Sequence, residues 1–162
     1  MSEQNYSREL RLTHLVEKRP ENIQKYLKII LSRNTEFILN EMNKDSAFAD
    51  EGIVLAAALG YNEIIKFLLD AGSTNNLEAL KTAYDSRNID SVFIILKELD
   101  INQIFCEACE HNEIDLVSLM LENYNDILDL DNALYFTAGN NLLSLLLLKY
   151  GASPDNLLGI LD

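Results

Sequence analysis

The chain of 162 residues contains no tryptophan, two prolines, six glycines and two cysteines. Because proline and glycine punctuate loops and turns, their scarcity favours helices joined by short connections. Apolar residues still make up 48% of the chain, which is enough to bury a core. These proportions predict an all-α protein.

Basic residues are also scarce: 13 Lys and Arg stand against 26 Asp and Glu, which gives a formal net charge of −13. Such a charge repels phosphate backbones, so we expect no nucleic acid partner. The ordinary interpretation is that acidity keeps the protein soluble. Two sharper ones are binding to a protein with a basic surface, and mimicry of nucleic acid by an acidic inhibitor that blocks a basic binding site.

The sequence lacks any uncharged apolar run of about 18 residues, so we expect no membrane span and no membrane partner. Residues 1–12 carry charged and polar side chains where a signal peptide would need an apolar core. Two cysteines close together fit a reducing compartment. These features predict a cytoplasmic protein.

The two cysteines, Cys106 and Cys109, form a C-x-x-C motif with His111 nearby. A zinc site needs four such ligands, and the chain has no second C-x-x-C. Thiols three residues apart share one helix face without a metal, so packing is the favoured interpretation and a metal or redox role the alternative. The P-loop, dinucleotide and zinc-protease motifs are missing as well. We predict no catalytic residue, no metal, no cofactor and no enzyme activity.

One segment, residues 56–72, has the pattern of two short helices. Gly60 ends the first helix, and Glu63 opens the second near its N-terminus, where a negative charge is favourable. Apolar residues then recur on one helical stripe until Gly72 ends the second helix.

This segment resembles the ankyrin repeat, whose core reads roughly A-A-x-x-G-H-x-E-I-V-K-L-L-L-x-x-G-A. Tyr61 replaces the usual histidine, and residues 51–54 (Glu-Gly-Ile-Val) replace the family's T-P-L-H opening. The matching positions are Ala56, Ala57, Gly60, Glu63, Ile64, Ile65, Lys66, Leu68, Leu69 and Gly72.

The same pattern recurs along the chain. Aligned on Gly60, the equivalent residues are Arg33, Arg87, Asn112 and Gly139, which gives spacings of 27, 27, 25 and 27 residues. The last copy ends at residues 146–155, which resemble the family's repeat end, although its first helix aligns only if roughly two residues are dropped. Because the usual period is about 33 residues, we predict an ankyrin-like solenoid of stacked helix–turn–helix repeats with shortened loops.

Short-loop repeats of this kind resemble the ankyrin proteins of large DNA viruses and intracellular bacteria. The resemblance implies a viral or pathogen factor that acts in the cytoplasm of a host cell. Since each repeat buries its apolar face only against its neighbours, the product is a binding surface. The expected function is therefore that of a protein–protein interaction module.

We expect one domain over residues 1–162. It consists of an N-terminal capping helix within 1–20, four to five repeats over about 22–156 and a C-terminal cap at 157–162. The last segment holds four apolar residues, Leu157, Leu158, Ile160 and Leu161. They pack onto the last repeat in a monomer, or form an apolar edge that makes a homodimer.

The ankyrin resemblance also implies where a partner binds: on the inter-repeat loops and the exposed end of each first helix, along the concave face. Mapped onto this sequence, the expected partner-binding residues are Ala58, Leu59, Ser73, Thr74, Asn75, Tyr84, Asp85, Ser86, Arg87, Glu110 and His111.

Overall fold

The computed structural model describes Glu9, Thr13 and residues 20–137 and 139–153. Within these residues the secondary structure consists of ten α-helices and one 3-10 helix, with no strand. The predicted all-α class is confirmed for this part of the chain. The expected C-terminal cap and nearly all of the expected N-terminal cap lie outside the described residues.

The helices are short, and the longest of those described have 12 residues. None of the described helices is long and apolar enough to cross a bilayer. Their bounds are α1 Glu21–Ser32, α2 Thr35–Lys44, α3 Phe48–Leu59, α4 Asn62–Asp70, α5 Asn76–Asp85, α6 Ile89–Glu98, α7 Ile101–Glu110, α8 Ile114–Tyr124, the 3-10 helix Asn125–Ile127, α9 Leu130–Phe136 and α10 Asn141–Tyr150.

Each helix pair turns at a residue in the left-handed conformation. The φ angles at these residues are 53° at Arg33, 72° at Gly60, 58° at Arg87, 58° at Asn112 and 89° at Gly139. These are the five positions that the sequence alignment made equivalent. The five aligned residues thus share a left-handed backbone conformation.

Three of these five turns close with the same hydrogen bond, whether or not the turning residue is glycine. The amide of the next residue donates to a carbonyl five residues back, which ties off the end of the first helix. The N···O distances are 3.0 Å for Tyr61 to Ala56, 2.9 Å for Asn88 to Ala83 and 2.9 Å for Glu113 to Ala108. Arg87 and Asn112 thus adopt the conformation that glycine adopts at Gly60.

The described helices fall into two compact units, divided between Glu98 and Leu99. In the first unit α1, α3 and α5 pack in succession and α4 packs against α6. In the second unit α7 packs against α9. Within each unit a first helix therefore contacts the first helix of the next pair, as in a helical repeat. The single domain expected over residues 1–162 stays a prediction.

The residues that follow two of the left-handed turns in the first unit contact the preceding helix pair. Asn88 is 6% exposed, and its side-chain amide donates to the carbonyl oxygens of Ala57 at 2.8 Å and Ala58 at 3.0 Å. One helix pair earlier, the Arg33 guanidinium lies over the ring of Tyr61, with 3.9 Å between Cζ of Arg33 and the ring centroid. The hydroxyl of Tyr61 donates a hydrogen bond to the carboxylate of Glu9. These polar contacts lock the register of neighbouring pairs.

Small side chains line the buried side of the first helices. Ala56, Ala57, Ala83 and Ala108 are all fully buried. An alanine brings the backbones of packed helices closer than a leucine would, so these positions set the spacing between repeats. Larger residues, among them Tyr26 and Phe48, fill the space around them; the two rings meet edge to face with centroids 5.0 Å apart.

Candidate interaction surface

Two expected partner-binding residues end helix α3. Ala58 is half-buried and lies at the surface of the first unit. Leu59, in contrast, is 2% exposed and belongs to the core. It follows Leu55 by four residues on the same buried stripe, so the helical period turns it away from solvent. The expectation that Leu59 contacts a partner is wrong.

The loop of Ser73, Thr74 and Asn75 is held by one carboxylate. Asp50, near the start of α3, accepts hydrogen bonds from the Thr74 amide at 2.6 Å, the Asn75 amide at 3.2 Å and the Ser73 hydroxyl at 3.2 Å. Ser73 is also buried. The loop is thus fixed to the preceding repeat, and only Thr74 of the three is well exposed.

The remaining predicted residues of the first unit end helix α5. Asp85 and Arg87 are exposed, and Tyr84 and Ser86 are half-buried. This turn lies beside Ala58, because Asn88 bonds the Ala58 carbonyl. The loop at Ser73 lies at the other end of α3, since Asp50 and Ala58 are eight residues apart, about 12 Å along a helix axis. The structure therefore splits the predicted site of this unit into two groups.

Glu110 and His111 belong to the second unit, at the end of α7. Both are exposed. The Nδ1 atom of His111 lies 2.9 Å from the carbonyl oxygen of Glu107, so the imidazole caps its own helix. These two residues are available at the surface of their unit.

A continuous row of exposed or half-buried residues runs along α3 and α5, which pack side by side. Each residue on α3 has its equivalent 27 positions later on α5. We name this row the first-helix face; it consists of Glu51, Val54, Ala58, Glu78, Lys81 and Asp85. Sequence reasoning found Ala58 and Asp85 but missed the other four. Extending the 27-residue period back along the first helix would have identified them.

Carboxylates are the most exposed side chains on the first-helix face. Glu51, Glu78 and Asp85 are exposed, whereas Lys81 is half-buried. Charges presented on adjacent helices of one rigid scaffold add to a local negative potential, which attracts a cationic surface and repels phosphate. Chemically, this arrangement is suited to binding guanidinium and ammonium groups.

The clamp at Asp50 has two counterparts in the second unit, one formed by an amide oxygen and one by a carboxylate. Asn102 accepts from the Asp129 amide at 2.7 Å, and Asp131 accepts from the Ser153 amide at 2.6 Å. Asp50 and Asn102 each lie ten residues before their left-handed turn, and Asp131 lies eight before Gly139. That difference equals the two residues dropped in the alignment of the last repeat. A polar side chain on the first helix thus fixes the loop that leads into the next repeat.

The Asp50 clamp predicts a pH-dependent stability. Partial burial raises the pKa of this carboxyl, but hydrogen bonds from Thr74, Asn75 and Ser73 outweigh it and leave the pKa below its ordinary value. A depressed pKa stabilises the fold above the pKa of the unfolded state, near 3.9, and this contribution is lost as the pH falls through the folded value. We expect Asp50→Asn to cost about 1 kcal/mol at pH 7.

That cost should shrink as the pH falls below about 4, because Asp50 then becomes protonated in the unfolded state before it does in the folded state. Urea unfolding followed by circular dichroism at pH 7 and pH 3 measures both differences. Glu51→Gln, one residue further along α3 and exposed, is the matched control and should stay within about 0.5 kcal/mol at pH 7. A cost for Asp50→Asn that is the same at both pH values would contradict this account.

The cysteines are packing residues of helix α7. Cys109 is fully buried and Cys106 is 7% exposed, and both are free thiols. Burial raises the pKa of Cys109 to about 12 and also raises that of Cys106, so neither is a thiolate at neutral pH. Among the described residues no group of three His, Cys, Asp or Glu side chains could hold a metal ion.

A pocket of about 160 Å³ lies beside Tyr61 in the first unit, lined by Arg33 and the start of α4. Small-molecule sites are usually larger, about 300–1,000 Å³. The Arg33 guanidinium already makes a cation–π contact with the Tyr61 ring and an ion pair with the carboxylate of Glu9, which lies 3.6 Å away. The residues around this pocket serve the contact between repeats.

The chain was also compared with known proteins, by sequence and by structure. No family model, no curated protein and no solved structure matches it.

Proposed function

We propose that this protein is a binding scaffold built from ankyrin-like helix pairs, and that the first-helix face binds a basic surface of another protein. The observation that carries the proposal is the exposure of three carboxylates, Glu51, Glu78 and Asp85, on two packed helices in one register. Glu51 and Glu78 are 27 residues apart, so the same carboxylate recurs at one position of the two helices, and Asp85 adds a third on α5. Repeat proteins bind through surfaces of this kind.

Two further features support an ankyrin-like arrangement. The left-handed turns recur at the spacing that the resemblance predicted, and first helices pack on first helices within the first unit. Clamped loops, such as the one at Asp50, present few side chains of their own. For this reason the proposal places most of the affinity on the helices and little on the loops.

The test reverses the charge of the first-helix face. A variant carrying Glu51→Lys, Glu78→Lys and Asp85→Lys should lose at least about tenfold in affinity for proteins captured from a cell lysate by the wild-type chain. The matched control reverses three exposed carboxylates on the second helices of the same unit, Glu63, Asp70 and Asp90. Quantitative mass spectrometry of the captured proteins gives the comparison, with circular dichroism to verify folding.

Proteins retained by the control and lost by the face variant would support the proposal. Loss of the same proteins with both variants would contradict it, since net charge alone would then account for binding. The acidic-inhibitor alternative shares the basic target. It predicts capture of nucleic-acid-binding proteins and a collapse of binding between about 0.05 and 0.5 M salt, whereas contacts around Val54 and Ala58 would resist salt.

A further inference from the structure

Apolar side chains are concentrated on the surface of the last helix pair. The most exposed large hydrophobic residue of the described chain is Leu145, at 64%, on α10. Leu142 is 59% exposed and Leu148 is 39% exposed on the same helix. Spacings of three residues place all three on one stripe, which we name the α10 stripe.

The opposite side of α10 already packs within the second unit. Leu143 and Leu147, four residues apart, are fully buried, and α10 packs against α9. The α10 stripe is therefore a second apolar side of a helix whose first side supplies the core. On α9, Phe136 is also exposed, at 41%. Apolar surface concentrated in this way marks an interaction site.

The distribution of charged residues along the chain indicates what kind of partner covers the α10 stripe. Residues 132–154 contain no Asp or Glu and a single basic residue, Lys149. The other 139 residues hold all 26 acidic residues and 12 basic ones, so they carry a formal charge of −14. Two copies of such a chain repel each other over most of their surface, and this neutral stretch is where they approach at the lowest electrostatic cost.

We infer that the α10 stripe is the contact of a symmetric homodimer, in which the stripe of one copy packs against the same stripe of a second. A two-fold axis makes an apolar stripe its own complement, so no separate receptor surface is required. Charged residues are depleted in the centres of such interfaces, as they are here. One ten-residue helix buries less than the usual interface of about 800 Å² per partner, which predicts a dissociation constant in the micromolar range.

Sedimentation velocity of the full chain from about 5 to 500 µM tests this inference. We expect the wild-type protein to pass from monomer to dimer over this range. Leu145→Lys should weaken dimerisation at least about tenfold, because a lysine ammonium would have to be buried against its symmetry mate. The matched control is Leu39→Lys, at another exposed leucine (49%) in the first unit, and it should dimerise as the wild type does.

Higher salt should leave the dimer unchanged or strengthen it, since screening reduces repulsion between acidic copies. A wild-type chain that stays monomeric at every concentration would overturn the inference. A shortened chain that ends at Ser153 provides a second test. If it dimerises while the wild-type chain stays monomeric, residues 154–162 of the same molecule cover the stripe, and the inference is overturned. Equal dimerisation of Leu145→Lys and wild type would exclude this stripe as the contact. These outcomes are independent of the first-helix face.

Discussion

Asn88→Asp is expected to lower the free energy of unfolding of the first unit by about 2–4 kcal/mol. The change keeps the size and shape of the side chain but replaces the donating amide with a carboxylate. In the wild-type protein that amide donates to the carbonyl oxygens of Ala57 and Ala58 at a site that is only 6% exposed. The variant loses both hydrogen bonds and places a negative charge against two carbonyl oxygens, of which that of Ala57 is in a buried contact and that of Ala58 in a partly buried one.

The matched control is Asn34→Asp, at the equivalent residue of the first helix pair. There the side-chain oxygen of Asn34 accepts from the amides of Glu36 at 2.9 Å and Phe37 at 3.2 Å, as an N-cap. Aspartate caps a helix as well as asparagine does, so this variant should stay within about 0.5 kcal/mol of wild type. Urea unfolding followed by circular dichroism measures both. If the two variants lose similar amounts of unfolding free energy, the hydrogen bonds of Asn88 do not stabilise the contact between neighbouring helix pairs.

The sequence identified the turns between helices even where glycine is missing. Arg33 and Arg87 carry no local sign of a left-handed conformation and Asn112 only a weak one, yet all three have a positive φ. They were found because each occupies the place of Gly60 in the repeat. The period succeeded because all five turns use the same left-handed backbone conformation, so one clear copy informs the weaker ones.

The clamp at Asp50 was not predicted, and its physical nature explains why. The carboxylate binds amides 24 and 25 residues further along the chain. Local propensity and helical periodicity describe residues within about one turn of each other, so they carry no signal for such contacts. A comparison of Asp50, Asn102 and Asp131 by repeat register would have grouped three acceptors at one position, and this regularity is visible in the sequence.

The candidate surface was also predicted only in part. Asp85 and Ala58 were identified from their place near helix ends, whereas Leu59 was placed on the surface although the period of α3 buries it. Assigning a helix end by sequence gives its position but leaves the direction of each side chain open. A shift of one residue turns a side chain by about 100° around the helix axis, which is enough to move it from solvent to core.

The second large prediction compares the same substitution at two adjacent residues of α3, one buried and one at the surface. Ala57→Leu should lower the free energy of unfolding by about 2–3 kcal/mol, while Ala58→Leu, at the next residue of α3, should change it by less than about 0.5 kcal/mol. Ala57 is fully buried and Ala58 is half-buried at the surface. Alanine and leucine differ little in helix propensity, so the helix itself is not weakened by either change.

The expected difference arises from the packing between repeats. Helix α3 packs against both α1 and α5, and the buried alanines of α3 and α5 leave no space for larger side chains. A leucine at Ala57 must separate packed helices or adopt a strained rotamer. Because Asn88 bonds the Ala57 carbonyl, separation would also break that hydrogen bond. Urea unfolding of the two variants beside wild type measures the effect, and equal stability of both would mean that close approach at Ala57 does not set the spacing of the repeat.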